Sequence, residues 1–206
     1  VFAKAPVARQ VKTRLVPLLG PEGAAELHAA LVRRALHTAI QSGVGAVELW
    51  CAPDASHPFF AACARESGVR LREQQGVDLG ERMAHAFEST LCDNAALVLI
   101  GSDCPALTPR GVREAADALA SHDAVIAPAE DGGYVLVGLS RPDPGIFFGI
   151  AWGGDKVMAE TRRRLEETGI RWKELETLWD IDRPEDYARL AREGLLPSLP
   201  SAPRSP

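Results

Sequence analysis

Three groups of residues have the types and spacing for chemistry on phosphates. The first is Lys4-Ala5-Pro6-Val7-Ala8-Arg9-Gln10-Val11-Lys12-Thr13-Arg14-Leu15, which holds four cations and no acid. Arg14 offers phosphate oxygens a planar fork and Lys12 a compact point charge, so with Lys4 they suit neutralisation of a diphosphate. Residues two apart in extended chain face the same side, so Lys12 and Arg14 are expected to act together. A solvated basic loop is the plainer alternative. The second group is Ile100-Gly101-Ser102-Asp103-Cys104-Pro105, in which an apolar run ends in an acid. An aspartate leaving the carboxyl end of a strand is poised to hold Mg2+ or Mn2+ against phosphates, with Ser102 beside it. An Asx turn before Pro105 explains the same residues structurally. The third group is Asp180-Ile181-Asp182-Arg183-Pro184-Glu185-Asp186. Asp180 and Asp182 face one way if extended, which suits a shared cation, while Asp182 also fits as a cap of the helix that starts at Pro184.

Two further segments are weaker candidates. Glu130-Asp131-Gly132-Gly133-Tyr134 allows close backbone approach to a ligand, with Asp131 as a base or acceptor anchor, or it is simply a tight turn. Asp78-Leu79-Gly80-Glu81-Arg82 opens a helix whose first amides, Gly80 among them, suit an anion or a ribose hydroxyl. Locally, an ordinary Asp-capped helix is the better reading. Cys104 has no base near it in sequence, so no nucleophile is assigned there. The five histidines lack ligand spacing and are read as structural or exposed. No GxxxxGK[ST] occurs, and Gly43-Val44-Gly45 lacks the third glycine of GxGxxG, so a Walker ATPase and a dinucleotide dehydrogenase both lose support.

The elements that must position these groups follow from periodicity. Val1-Phe2-Ala3 looks like the end of a strand, and a short stretch is expected to precede it. Apolar residues at 24, 27, 31, 35, 36 and 40, with His28 on the same stripe, predict a long amphipathic helix from Gly20-Pro21, stopped by Gly43. Strands are expected at Val47–Cys51, Val69–Arg72, Ala95–Ile100, Ala124–Ala127, Tyr134–Leu139 and Leu175–Trp179. Helices are expected at Phe59–Glu66, Leu79–Leu91, from Thr108-Pro109, at Lys156–Glu167 and at Pro184–Glu193. The run Ala95–Ile100 is continuously apolar, which predicts a central strand covered on both faces. Such alternation implies a single α/β domain over residues 1–195. Its expected form is a three-layer, mixed but mainly parallel sheet with ligands at the carboxyl ends of the strands. Residues 196–206, rich in proline and serine, are expected to be a disordered tail.

Composition sets the outer limits. A hydrophobic fraction of 46% and a charged fraction of 25% are those of a soluble globular protein. No apolar run reaches bilayer length and no leader pattern opens the chain, so no membrane span and a cytoplasmic location are expected. Four cysteines without CxxC spacing are expected as free thiols. The net charge of −5 disfavours nucleic-acid binding, yet the first 21 residues carry +4, which leaves −9 elsewhere.

Together, Phe2-Ala3-Lys4-Ala5-Pro6, Val11-Lys12-Thr13-Arg14-Leu15, Asp78-Leu79-Gly80-Glu81-Arg82-Met83, Gly101-Ser102-Asp103-Cys104-Pro105, Glu130-Asp131-Gly132-Gly133-Tyr134 and Asp180-Ile181-Asp182-Arg183-Pro184-Glu185-Asp186 resemble a largely uncharacterised bacterial family. That family is usually labelled glycosyltransferase, within the nucleotide-diphospho-sugar transferase (GT-A) superfamily. More distantly the chain is similar to molybdenum-cofactor and phospholactate guanylyltransferases. The resemblance implies a Rossmann-like mixed sheet with Lys12 and Arg14 at the phosphates, Asp103 at the metal and the Asp180-Asp182 pair near it. Ala8-Arg9-Gln10 departs from the family's usual glycine followed by a basic residue, and Trp152-Gly153-Gly154 from its Trp-Ser-Thr. The expected function is metal-dependent transfer of a glycosyl group from a nucleotide sugar to an unknown acceptor. The alternatives are nucleotidyl transfer from a nucleoside triphosphate to a sugar- or metabolite-phosphate, releasing pyrophosphate, and nucleotide binding without turnover.

Overall fold

The structure, a computed structural model, describes residues 1–195; the expected disordered tail at 196–206 lies outside the described residues. The chain runs β1 (Phe2–Lys4), α1 (Val16–Ser42), β2 (Glu48–Ala52), α2 (Pro58–Ser67), β3 (Arg70–Glu73) and α3 (Leu79–Leu91). It continues with β4 (Leu97–Ile100), α4 (Pro109–Ala118), β5 (Ala124–Pro128), β6 (Tyr134–Leu139), α5 (Val157–Thr168), β7 (Trp172–Glu174) and α6 (Pro184–Arg192). None of the described helices is long and apolar enough to cross a membrane.

The caps foreseen from sequence form. Thr108 Oγ1 accepts from the Gly111 amide at 3.1 Å and Asp78 Oδ1 from the Glu81 amide at 2.9 Å, satisfying amides that have no partner inside the helix. Helix α1 breaks at Gly20, whose φ of 71° interrupts the helical run, so the long helix proper starts at Pro21 as expected. The last helix differs. Asp186, not Asp182, reaches back to the Arg183 amide at 2.7 Å and the Asp182 amide at 3.0 Å.

The strands form two ladders, β1-β2-β3 and β4-β6-β5-β7. Every pair in the first is parallel, and so is β5 with β7, whereas β6 runs antiparallel between β4 and β5. The connection from β5 to β6 is only 129–133, far short of the dozen or so residues a parallel crossover needs, so this turn can only return as a hairpin. Strand β4, expected to be central, is terminal in its ladder. Its side chains nonetheless enter both layers: Leu99 belongs to the same core cluster as Phe2, Trp50 and Ile126, and Ile100 to that of Ala3, Cys51 and Val125. The same odd and even alternation across both ladders makes them one middle layer. Helices α1, α2 and α4 cover one face through Leu36, Phe60 and Val112, and α3 and α5 cover the other through Phe87 and Leu165. A smaller cluster of Leu15, Leu27, Leu31, Trp179, Ile181 and Leu190 ties α6 and the preceding segment to α1.

All four cysteines are free, with Cys51 and Cys63 buried, Cys104 half-buried and Cys92 exposed.

Candidate active site at the carboxyl edge

The first, second and third residue groups meet at one cleft of about 440 Å3. Backbone contacts bring them together. The Ile181 amide donates to the Asp103 carbonyl at 2.9 Å, and Leu178 bridges to Ala129 in parallel register, which seats the Asp180-Asp182 segment beside the end of β4. Arg34 of α1 donates to the Pro105 carbonyl at 3.0 and 3.2 Å and steadies the loop after Asp103.

Lys12 lies in the floor of this cleft. Its side chain is 5% exposed, its ammonium stands 2.9 Å from Asp103 Oδ2, and it donates to the Ile181 carbonyl. Asp103 is 43% exposed, with Oδ1 accepting from Ser102 Oγ at 3.1 Å. Burial alone would raise the Asp103 carboxyl, but the Lys12 ammonium and the nearby His28 ring outweigh it and hold the carboxyl well below the usual range. Asp180 behaves oppositely. Burial, then repulsion from Asp131 and Asp103, pushes it up to about 6 against the pull of Lys12. The cleft thus gathers more negative charge than its one buried cation offsets.

Lys12 and Arg14 do not act side by side as the extended-chain argument supposed. Lys12 has φ 48° and ψ 40°, and a single 3-10 turn over Thr13–Leu15 follows, so the two side chains diverge. Arg14 is 63% exposed and pairs with Asp182, outside the cleft lining. Asp182 lines the cleft but is committed to Arg14. Lys4 lines the cleft and makes no ion pair among the described residues. Asp131 lines it too, with Oδ1 accepting from the Gly133 amide at 2.9 Å, so the tight turn is real. That turn has its own constraint. Gly132 sits at φ 90°, and a Cβ there would lie 2.0 Å from the Asp155 carbonyl oxygen.

Gly80 is the candidate that the structure moves away from the ligand. It is buried in α3, where a Cβ would meet the Trp152 indole nitrogen at 2.6 Å and the Phe147 carbonyl at 2.8 Å. Close packing, rather than an open helix start, explains that glycine, and the neighbouring Leu79 lines the cleft instead. Cys104, left without a role, has its thiol pushed up to about 12 by burial, which leaves no thiolate for nucleophilic attack.

Two cleft residues went unrecognised in the sequence. His28, 4% exposed, contacts the Lys4 carbonyl through Nε2 at 3.0 Å, and its Nδ1 lies 3.6 Å from Asp103 Oδ1. The available signal was a histidine on the apolar stripe of α1. Gln74, just after β3, lines the cleft near Ala3, and a lone glutamine carries no sequence signal.

The departure at Ala8-Arg9-Gln10 has a visible consequence. Arg9 adopts φ 65°, a left-handed conformation that glycine takes without cost. The loop keeps a glycine-type geometry with arginine in it. Left-handed backbone costs a non-glycine residue about 1–2 kcal/mol, part of which glycine gives back through unfolded-chain entropy. Arg9→Gly is therefore expected to raise stability by roughly 0.5–1 kcal/mol in denaturant unfolding. A loss of stability would show that the Arg9 side chain makes a compensating contact.

No three His, Cys, Asp or Glu side chains among the described residues form a metal-binding cluster. Asp103 and Asp180 are the cleft carboxylates that would offer oxygen donors to a divalent cation, and repulsion from Asp131 and Asp103 adds to the rise that burial causes at Asp180.

The three-layer fold, with a cationic loop and carboxylates near the strand ends, is that of the nucleotide-diphospho-sugar transferase-like class. Residues 35–154 match the model of a family described as "Uncharacterized protein conserved in bacteria (DUF2064)", and the chain belongs to that family. It is 30% identical to phosphoenolpyruvate guanylyltransferase of Rubrobacter xylanophilus, over 94% of this chain and 95% of the relative. It is 29% identical to 3-phospho-D-glycerate guanylyltransferase of Phenylobacterium zucineum, over 88% and 84%. Among solved structures it is similar to a protein of Desulfovibrio desulfuricans G20 provisionally described as a nucleotide-diphospho-sugar transferase. There the TM-score is 0.86 at 32% identity, with 94% of this chain and 85% of that chain covered.

Proposed function

We propose that residues 1–195 form a metal-dependent nucleotidyltransferase that joins a nucleoside monophosphate to the phosphate of a small phosphorylated acid and releases pyrophosphate. The observation that carries this reading is the buried Lys12 ammonium against Asp103, in a cleft that Asp131, Asp180 and Asp182 also line. The names of the two curated relatives support guanosine and a phosphorylated three-carbon acid as the first substrates to test. Small phosphorylated metabolites also suit the cytoplasm.

In this reaction an oxygen of the acceptor phosphate bonds to the α-phosphorus while the bond from that phosphorus to the bridging oxygen breaks. Lys12 meets the charge that gathers on the departing pyrophosphate, from a position fixed before substrate arrives. Lys4 extends that positive field from the cleft lining while Arg14 is held by Asp182 at its margin, and the Ser102 hydroxyl holds Asp103 Oδ1 in place. Asp103 and Asp180 are the residues that would hold Mg2+ or Mn2+, with Asp182 at the margin. When bound, that cation supplies charge neutralisation and orientation of the phosphates. No proton needs removing, because an acceptor phosphate is already anionic at neutral pH. That suits nucleotidyl transfer, whereas an acceptor hydroxyl attacking a sugar would draw on a base such as Asp131, whose Oδ1 is taken by its turn and whose Oδ2 is left. Asp131 is left as an acceptor anchor.

Glycosyl transfer from a nucleotide sugar is the second reading, favoured by the description of the 32%-identical structure. Binding without turnover loses its motive, since the altered loop keeps left-handed backbone at Arg9. Incubation with nucleoside triphosphates and phosphorylated acids, or with nucleotide sugars, each with Mg2+ or Mn2+, separates the readings. Pyrophosphate is the expected product, and nucleoside diphosphate released from a sugar donor would favour the second.

A further inference from the structure

We infer that His28 is a positioning residue: it spans the seam between the two ladders and sets where Asp103 stands relative to the cationic loop. The inference rests on the proposed metal- and phosphate-dependent reading of the cleft and adds what keeps its two charged walls in register. The middle layer has no ladder between β1, which leads into that loop, and β4, which leads to Asp103. No backbone hydrogen bond joins these two strands among the described residues. The ion pair of Lys12 with Asp103 does cross the seam. Yet the proposed reaction divides that pair, with Asp103 turning to a cation and Lys12 to the pyrophosphate. What keeps the spacing must then be a contact that substrate does not claim.

The His28 ring supplies that contact from α1. It is 4% exposed and lies one turn before the buried Leu31 and Val32, so the helix fixes the direction in which it points. Nε2 lies 3.0 Å from the carbonyl oxygen of Lys4, the last residue of β1. A carbonyl only accepts, so Nε2 carries a hydrogen and donates it there. Nδ1 has no hydrogen-bond partner among the described residues and stands 3.6 Å from Asp103 Oδ1, a packing contact rather than a hydrogen bond. Ser102 Oγ donates to the same carboxylate oxygen at 3.1 Å. Oδ1 is thus bounded by a hydroxyl and by the ring, which leaves Oδ2 turned to Lys12 at 2.9 Å. A flat ring enclosed this tightly holds one orientation, so the stand-off between β1 and Asp103 is set before any ligand enters. His28 therefore acts through Asp103 and not on the phosphates.

Calorimetric titration with Mn2+ in the presence of inorganic tripolyphosphate tests this role without relying on turnover. His28→Leu keeps the buried stripe apolar but removes the bond to Lys4 and the ring beside Asp103, and should weaken Mn2+ binding about tenfold. His28→Gln can still donate an amide hydrogen to the Lys4 carbonyl and should stay within about threefold of wild type. If His28→Leu does not fold, His28→Phe, a flat ring without nitrogens, takes its place. In pyrophosphate release at saturating Mn2+, His28→Leu should lower kcat about thirtyfold and leave KM for the triphosphate within about threefold, because misplacing a positioned group acts on the transition state. A merely structural histidine would lower only the unfolding midpoint. Mn2+ affinity and kcat unchanged in the folded variant, or His28→Gln as impaired as His28→Leu, would overturn the role. A wild type that binds no Mn2+ would overturn the metal reading and the role with it. The expected Mn2+ pattern in a protein that releases no pyrophosphate would defeat the proposed reaction and leave the role of His28 standing.

Discussion

Asp103→Asn is expected to weaken metal-dependent nucleotide binding at least tenfold and to lower folding stability by about 3 kcal/mol. The two losses have different origins. Binding falls because the variant removes a charged oxygen donor for the cation. Stability falls because Lys12, 5% exposed, is left buried without its counter-charge. Removing one partner of a buried pair commonly costs about 3–5 kcal/mol, and the low end applies because an amide oxygen still faces the ammonium. The pH dependence follows from the depressed Asp103 carboxyl. A carboxyl held below its unfolded value, about 3.9, contributes stability that is fully present above that pH and is lost as the pH falls through the folded value. Wild type and variant should therefore converge in denaturant unfolding as the pH is lowered below about 4. A stability gap that does not narrow in acid would contradict the pairing.

Lys12→Met is expected to lower kcat/KM for nucleotidyl transfer by about a thousandfold, the scale found when a preorganised electrostatic group is removed. Its effect on stability should be small, under about 1 kcal/mol, because Asp103 is 43% exposed and can be hydrated once the ammonium is gone. This asymmetry between partners of one ion pair comes from their unequal burial. Binding of Mn2+ without nucleotide should stay intact or tighten in Lys12→Met, since a competing cation has left the carboxylate. Loss of Mn2+ binding alongside activity would mean that Lys12 shapes the metal site rather than meeting the phosphates.

Local signals carried much of the fold. Helix α3 begins and ends at the residues expected, Leu79 and Leu91, because an Asp cap and an apolar stripe are local features. The β6 bounds, Tyr134 and Leu139, were equally legible, but its direction was not. Strand direction depends on pairing across the sheet, and only the shortness of the 129–133 connection hinted at a hairpin. The strand expected at Leu175–Trp179 forms instead just upstream, at Trp172–Glu174, and the expected segment keeps one bridge at Leu178, since pairing with β5 decides which residues are strand. At the site, the three segments were readable because each sets charged residues just after an apolar stretch. The division of labour within them was not. Lys12 and Arg14 separate because of a left-handed residue that sequence rules would not assign to lysine. Gly80 misled because a glycine placed for packing looks the same in sequence as one placed for a ligand. His28 and Gln74 became visible only when α1 and the end of β3 were brought to the cleft.

The central claim is transfer of the α-phosphoryl group. Its most direct measurement uses guanosine triphosphate labelled at either the α- or the γ-phosphorus, incubated with Mg2+ and 3-phosphoglycerate or phosphoenolpyruvate. The account predicts α-label in a new acceptor conjugate and γ-label in pyrophosphate. Label from the γ-position on the acceptor, or no conjugate from any triphosphate and acceptor while a nucleotide sugar is turned over, would contradict it.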